Sequence, residues 1–196
     1  MPTLPPPSDL PRAPVSLRLT PDEYFDWDED QEGKYEYVYG EVFPMSGATR
    51  THNDIALNFA VALKSSFRET ECSVFASDMR VQVDPGGRYT YPDLSAVCGA
   101  PEFTSPKEVT LVNPALVVEV LSDRTEAYDR GEKLDVYRAV PSVQEVVLVR
   151  QDRRAVQAWR RQGRTWTVED LDGGMLALAS VGAEVALDEL YAGTDL

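Results

Sequence analysis

The stretch Leu116-Val117-Val118-Glu119-Val120-Leu121 decides how this chain folds and where its chemistry lies. Five of its six residues are aliphatic and three are valine. An unbroken run of this kind reads as a strand covered on both faces, inside a sheet and not at its edge. Glu119 then sits where an ionised carboxylate is costly without a partner, so it must shift its pKa or recruit a counter-charge. Two readings stay open from the residues alone: a structural ion pair (or a glutamate near the strand's end that solvent reaches), or a site residue.

The surroundings of that strand set the fold class. Downstream, residues 125–139 are expected to form a helix with Ala127, Leu134 and Tyr137 on its buried side, stopped by Pro141. Residues 145–149 (EVVLV) then make another buried strand. Upstream, residues 89–98 (YTYPDLSAVC) read as a second core strand, after strand candidates at 72–77 and 78–83 and a turn at Asp84-Pro85-Gly86-Gly87. Ile55, Phe59, Leu63 and Phe67 form a helical stripe in the segment that starts near Thr51. Residues 35–45 (YEYVYGEVFPM) read as two strands folded about Gly40. Thr20-Pro21-Asp22-Glu23 is a helix start, with a capping hydroxyl, proline at the first helical position and an acid three residues after the cap. A late hairpin is expected at 155–160 and 165–170 around Gly163, with a final helical turn near Leu187–Tyr191. The mixture argues an α/β or α+β fold with a mixed sheet. Six prolines in residues 1–16 argue a flexible, partly extended leader, leaving residues 17–196 as one domain.

Composition narrows the function classes. The 196 residues carry 19 basic and 33 acidic side chains, a formal net charge of −14, which repels polyanions at long range and argues against a general nucleic-acid coat protein. It does not exclude a nuclease, because a site that holds divalent cations is acidic when empty. No apolar run approaches a membrane span, and the N-terminus lacks a charged-then-apolar signal pattern, so a cytoplasmic protein is expected. Cys72 and Cys98 have neither disulfide-scaffold nor zinc-site spacing and read as buried or semi-buried thiols in a reducing compartment.

Asp93 follows Pro92 at the entry to a core strand. Taken alone it is an ordinary turn former. Two acids on successive core strands, however, can meet at one end of a sheet, and such a meeting is costly unless a cation joins them. Oxygen-only ligands favour a hard ion such as Mg²⁺. Zinc is disfavoured, since His52 is the only histidine and neither cysteine has a nearby partner. The run Asp129-Arg130-Gly131-Glu132-Lys133 follows the Glu119 strand, with Lys133 four residues before Tyr137 on one helical face. Most of these charges read as a solvated helix surface. Gly131 inside a helix hints at close packing or close approach there.

Tyr91-Pro92-Asp93, the Leu116–Ser122 run, Tyr128-Asp129-Arg130-Gly131-Glu132-Lys133, Tyr137-Arg138 and Pro141-Ser142-Val143-Gln144-Glu145 together resemble the Uma-two family, restriction-endonuclease-like proteins of the PD-(D/E)XK nuclease superfamily. The resemblance extends over about residues 17 to 192, including the Tyr35–Glu41 hairpin and Ser77-Asp78-Met79-Arg80-Val81. It implies a restriction-endonuclease-like core, a mixed sheet flanked by helices, with Asp93 and Glu119 as carboxylates for Mg²⁺ or Mn²⁺ and the Val120 carbonyl as a further ligand. The superfamily's usual lysine follows the glutamate by two positions, and Leu121 stands there. The resemblance suggests a migrated lysine, Lys133, reaching the site from the helix. Glu36 or Glu41 from the early hairpin, and Asp78, are accessory candidates.

The expected activity is metal-dependent phosphodiester hydrolysis in nucleic acid, DNA foremost. The alternative, favoured by Leu121 and the charge of −14, is a catalytically weak nuclease-fold protein acting as a nucleic-acid-binding or oligomeric accessory module. Residues 150–164 carry six arginines against Asp152 alone, leaving −19 on the rest of the chain. With Trp159 and Trp166 this segment reads as a phosphate-contacting face or, equally in character, as a protected hairpin edge or subunit contact. A homodimer is expected from the family likeness and this hairpin.

Overall fold

Leu116–Leu121 (β9) lies inside a six-stranded sheet, flanked on one side by Leu94–Cys98 (β7), antiparallel, and on the other by Glu145–Arg150 (β10), parallel. The computed structural model describes residues 14–196 apart from Ser46, Pro106, Glu108 and Arg124. The sheet continues outward from β10 through the hairpin Val156–Gln162 (β11) and Thr165–Leu171 (β12), and outward from β7 to Cys72–Ala76 (β4), giving the order β12-β11-β10-β9-β7-β4. A parallel neighbour demands a crossover, and the helical segment 126–139 supplies it.

Alternation along β9 divides two cores. Leu116, Val118 and Val120 pack with Ile55, Phe59 and Leu63 of helix α2 (Arg50–Ser66) and with the C-terminal hairpin Met175–Leu178 (β13) and Ala183–Ala186 (β14). Val117 and Leu121 point the other way, toward Leu134 and Tyr137 of the crossover. Period two therefore puts Glu119 on the face beneath the crossover helix.

The expected mixed sheet flanked by helices, with added hairpins, is present, and it does not stand alone. A second six-stranded sheet is built from Val15–Arg18 (β1), Tyr35–Val38 (β2), Glu41–Pro44 (β3), Arg80–Asp84 (β5), Arg88–Thr90 (β6) and Thr110–Leu111 (β8), in the order β1-β3-β2-β6-β5-β8. The expected single strand over 89–98 is in fact β6 in one sheet and β7 in the other. Pro92 cannot donate to a ladder, so the chain leaves the first sheet at Tyr91 and enters the second at Leu94. Asp93 is the residue at that crossing. The β2–β3 hairpin turns on Tyr39 and Gly40, both at positive φ (47° and 98°), the two-residue turn whose twist suits a hairpin. Of the expected leader, residues 1–13 lie outside the described residues, while β1 begins at Val15, two residues before the expected start.

The capping signature at residues 20–23 forms as read: Thr20 Oγ1 accepts from the Glu23 amide and Glu23 Oε2 accepts from the Thr20 amide at 2.7 Å, opening helix α1 (Pro21–Glu29). The crossover is not the regular helix expected. Glu126–Tyr128 (α3) passes into a π-turn over Asp129–Lys133 before Leu134–Ala139 (α4). Gly131 sits in that π-turn with open space where a Cβ would be, so close packing does not account for it. The chain closes on a short helix, α5 (Leu187–Leu190).

The reading of two separate thiols is also corrected. Cys72 and Cys98 face each other in the β4–β7 register and are joined by a disulfide. Their separation of 26 residues gives no hint of this, because an antiparallel register is set by the intervening turn and not by local pattern.

Candidate active site

Asp93 stands one residue before β7, beside the end of β9. The last ladder partners there are Leu94 and Val118, so Val120 lies past them and its amide donates to Asp93 Oδ2 at 2.7 Å. The carbonyl of Val120 shares that strand edge, since N–H and C=O of one strand residue point the same way. The other Asp93 oxygen, Oδ1, accepts from His52 Nε2 at 2.8 Å. His52 lies in the first turn of α2, where its own amide is capped by Thr49 Oγ1. Sequence reasoning weighed His52 only as a zinc ligand and missed this pairing. The spacing between residues 52 and 93 holds no signal for it, and only the packing of α2 on the sheet produces it.

Glu119 is 4% exposed and meets two groups from the crossover. Tyr137 Oη donates to its Oε1 at 2.6 Å, and Lys133 Nζ lies 2.9 Å from the same oxygen. Lys133, also 4% exposed, reaches Glu36 of β2 at 3.1 Å and Asp129 at 4.0 Å. The solvated-surface reading of the charge run is therefore wrong for Asp129 and Lys133. In a regular helix running back from Tyr137 and Lys133, Tyr128 would fall on another face. The π-turn rotates it inward, so Tyr128, Asp129 and Lys133 are all buried.

These groups share a cavity of about 980 Å³ between α2, the β2–β3 hairpin and the ends of β7 and β9. Among the described residues, seven carboxylates line it against two lysines, Lys34 and Lys133. The surplus of acid shows in the titration. Burial pushes Glu119 up to about 8, against the pull of Lys133 and with help from Asp93 and Asp129. Burial likewise raises Asp129, while Lys133 and a Thr125 hydrogen bond pull it down. Burial disfavours the charged form of Lys133, but Glu119, Glu36, Tyr137 and Asp129 outweigh it and hold the ammonium protonated well above the usual lysine range.

Not every expected acid arrives here. Glu41 is paired with the exposed Arg18 across β1 and β3 and does not line the cavity, because it stands at the turn end of the hairpin opposite Val38, two positions along the ladder from the Glu36–Phe43 pair. Asp78 is in a turn, its side chain 90% exposed and bound to Lys34. The arginine segment is mostly engaged within the molecule, which removes it as a free phosphate-contacting face. Arg150 binds Glu126 and Asp152, Arg160 binds Glu145 and Glu169, and Arg161 donates to the carbonyls of Arg138, Val140 and Val143. Arg153 and Arg154 pair with Asp152 and Asp188.

Among the described residues no three carboxylate, imidazole or thiolate groups converge as a ready-made cage. Two carboxylates with a neighbouring carbonyl suit Mg²⁺, which keeps most of its waters and takes one or two carboxylates from a protein. Asp93 and Glu119 lie close enough to repel, as the upward push of Asp93 on Glu119 records, and a shared cation would relieve that repulsion. The residues present fit such an ion.

With this geometry established, comparisons place the chain among known proteins. A family model named Uma2, described as "Putative restriction endonuclease", matches residues 21–188. Two Synechocystis proteins, both described as uncharacterized, are each 32% identical to the chain. One aligns over 156 residues, 79% of this chain and 88% of its own length, and the other over 185 residues, 93% and 96%. A crystal structure described as a "putative nuclease belonging to DUF820", from Anabaena variabilis, superposes with a TM-score of 0.72 at 18% identity, covering 89% of this chain and 98% of its own. At that identity the likeness shows a common fold, here of mixed α+β type. The chain belongs to the Uma2 family, whose model carries the description "Putative restriction endonuclease".

Proposed function

We propose that the protein is a divalent-metal-dependent endonuclease that hydrolyses phosphodiester bonds in DNA. The observation that carries this reading is the meeting of Asp93, Glu119 and Lys133 in one cavity, with Lys133 Nζ 2.9 Å from Glu119. Asp93, Glu119 and the Val120 carbonyl would hold Mg²⁺ or Mn²⁺. Such an ion lowers the pKa of a bound water and offsets charge on a phosphate. The chain's own groups do the rest. His52 and the Val120 amide fix Asp93 in orientation, and Tyr137 and Lys133 fix Glu119. Lys133, held protonated, contributes a fixed positive charge beside the phosphate and does not act as the base.

The accessory-module alternative was favoured by Leu121 at the usual lysine position and by the charge of −14. Against it stand Lys133 Nζ 2.9 Å from Glu119, which supports the migrated-lysine reading, and the seven carboxylates lining the cavity, as an empty cation site would have. The arginine segment, which serves either reading, is mostly engaged with the molecule's own carboxylates and carbonyls. The test is nicking of supercoiled plasmid DNA with Mg²⁺ or Mn²⁺. Wild type should convert plasmid to the open circle and Asp93→Ala should not. Cleavage by the variant at the wild-type rate would move the site elsewhere.

A cytoplasmic location is proposed on the nuclease reading alone, since the Cys72–Cys98 disulfide removes the support that free thiols gave it. Among the described residues no helix is long and apolar enough to cross a membrane. A homodimer is proposed through β12, the edge strand of its sheet, which leaves Val168 46% exposed. Sedimentation at micromolar concentration should give twice 21.8 kDa, and a monomer mass would refute it.

A further inference from the structure

The floor of the cavity holds four carboxylates, and three of them have close partners. Asp93 receives His52 and the Val120 amide at 2.8 and 2.7 Å, Glu119 receives Tyr137 and Lys133 at 2.6 and 2.9 Å, and Glu36 lies 3.1 Å from Lys133. Asp129 is the exception. Its contact with Lys133 is the loosest, at 4.0 Å, and its hydrogen-bond partner is the neutral hydroxyl of Thr125. It is buried, it lines the cavity, and it comes from the π-turn, the one irregular stretch of the crossover. Single π-turns inside helices recur at functional sites because the extra residue re-aims a side chain.

Hydrolysis needs a proton acceptor. Lys133 has three carboxylates within 4.0 Å of its ammonium, so its N–H bonds are already directed at them as donors. Asp93 and Glu119 are the pair assigned to the cation. We propose that Asp129 is the group that takes the proton from the attacking water, an inference that rests on the nuclease reading above. In this step one O–H bond of the water breaks and its proton passes to an Asp129 carboxylate oxygen. The water oxygen forms a bond to phosphorus, the bond from phosphorus to the leaving oxygen breaks, and that oxygen takes a proton from solvent.

The groups facing Asp129 set how well it does this. Lys133 and Thr125, on its own helical segment, favour its charged form. Glu36 from β2 and Asp93 from the sheet crossing disfavour it, as does burial, and the balance lies on the raised side, toward the pKa at which a carboxylate becomes a useful base near neutrality.

The test uses the full chain, with Mn²⁺ as the ion, supercoiled plasmid as substrate, and calorimetry of Mn²⁺ binding and thermal melting as readouts independent of activity. Asp129→Asn should lower cleavage by a factor of roughly 10² or more, the usual effect of losing a general base, and flatten the rise of rate with pH. Mn²⁺ affinity should stay within about threefold. Asp129→Glu, which keeps the carboxyl, should retain most activity. Asp129→Ala should recover at least about tenfold on adding formate, a small carboxylate that a merely structural role would not reward. Full-rate cleavage by Asp129→Asn overturns the inference and leaves the nuclease reading intact. A loss of Mn²⁺ affinity beyond about tenfold overturns it in favour of Asp129 as a ligand. Wild-type protein that cuts nothing overturns the nuclease reading and this inference with it.

Discussion

Glu119→Gln is expected to abolish metal-dependent cleavage and, in metal-free buffer, to make the protein more stable at alkaline pH. The first effect follows from charge. The amide keeps the shape that Tyr137 and Lys133 grip but loses the anion, and a cation's stabilisation of several kcal/mol corresponds to a rate loss of roughly 10³. The second follows from the raised pKa. A carboxyl lifted to about 8 binds its proton more tightly in the folded chain than in the unfolded one, where 4.5 is its ordinary value. Its contribution to stability is therefore complete below pH 4.5 and is lost as pH climbs to about 8. Gln fixes the neutral form and escapes that loss. Melting curves in chelator should nearly coincide at low pH and separate by roughly 5–10 °C in favour of Gln at about pH 8.5. Calorimetry in buffers of different ionisation enthalpy should find a proton released when wild type binds Mg²⁺ near neutrality, and none from the variant. A variant that cuts normally and melts with the same pH dependence as wild type would leave Glu119 a structural acid only.

Both halves of that expectation rest on what was legible at Glu119, and the reasons are local. An aliphatic run with one acid announces a covered strand and a buried charge wherever the rest of the chain goes. The Thr20–Glu23 box, the Ile55-Phe59-Leu63 stripe and the Tyr39-Gly40 turn were legible for the same reason: their geometry is decided within a few residues. What could not be read is what distant segments decide together. Pro92-Asp93 read only as a turn former at the entry to one core strand, and nothing local says that β6 and β7 belong to different sheets. Cys72 and Cys98 meet through a register set elsewhere, and His52 meets Asp93 because α2 packs across the sheet end. The engagement of Arg150, Arg160 and Arg161 is likewise long-range, and without it a charge run looks free. The π-turn is intermediate. Gly131 suggested close packing or close approach and the structure shows open space there instead, since one glycine does not say whether a helix packs closely or gains a residue.

Lys133→Met should lower cleavage by a factor of 10² or more, roughly what removal of a fixed charge from a reaction site costs. The measurement is complicated by burial, because the same ammonium balances Glu36, Glu119 and Asp129. A solvated helix lysine would matter by less than about 0.5 kcal/mol. With a side chain 5% exposed, Lys133 belongs with buried ion pairs, and removing one partner costs about 3–5 kcal/mol. That loss should be largest at alkaline pH and shrink in acid, where Glu119 takes up its own proton. The two roles separate by supplying charge from outside. Saturating Mn²⁺ offsets the acid surplus and binds more tightly once a competing cation is gone, so it should restore melting temperature. If Lys133 is only a structural counter-ion, the rate per folded molecule should return with the melting temperature. If it stabilises charge on the phosphate, stability should recover and the rate should not. Lys133→Arg sharpens the comparison: it keeps the charge, but a planar fork does not fit a cage shaped around a single nitrogen, with Glu119 and Glu36 oxygens at 2.9 and 3.1 Å. Activity in Arg well above that of Met, at matched stability, would assign the effect to charge at that position. Equal and full activity in both would remove Lys133 from the chemistry.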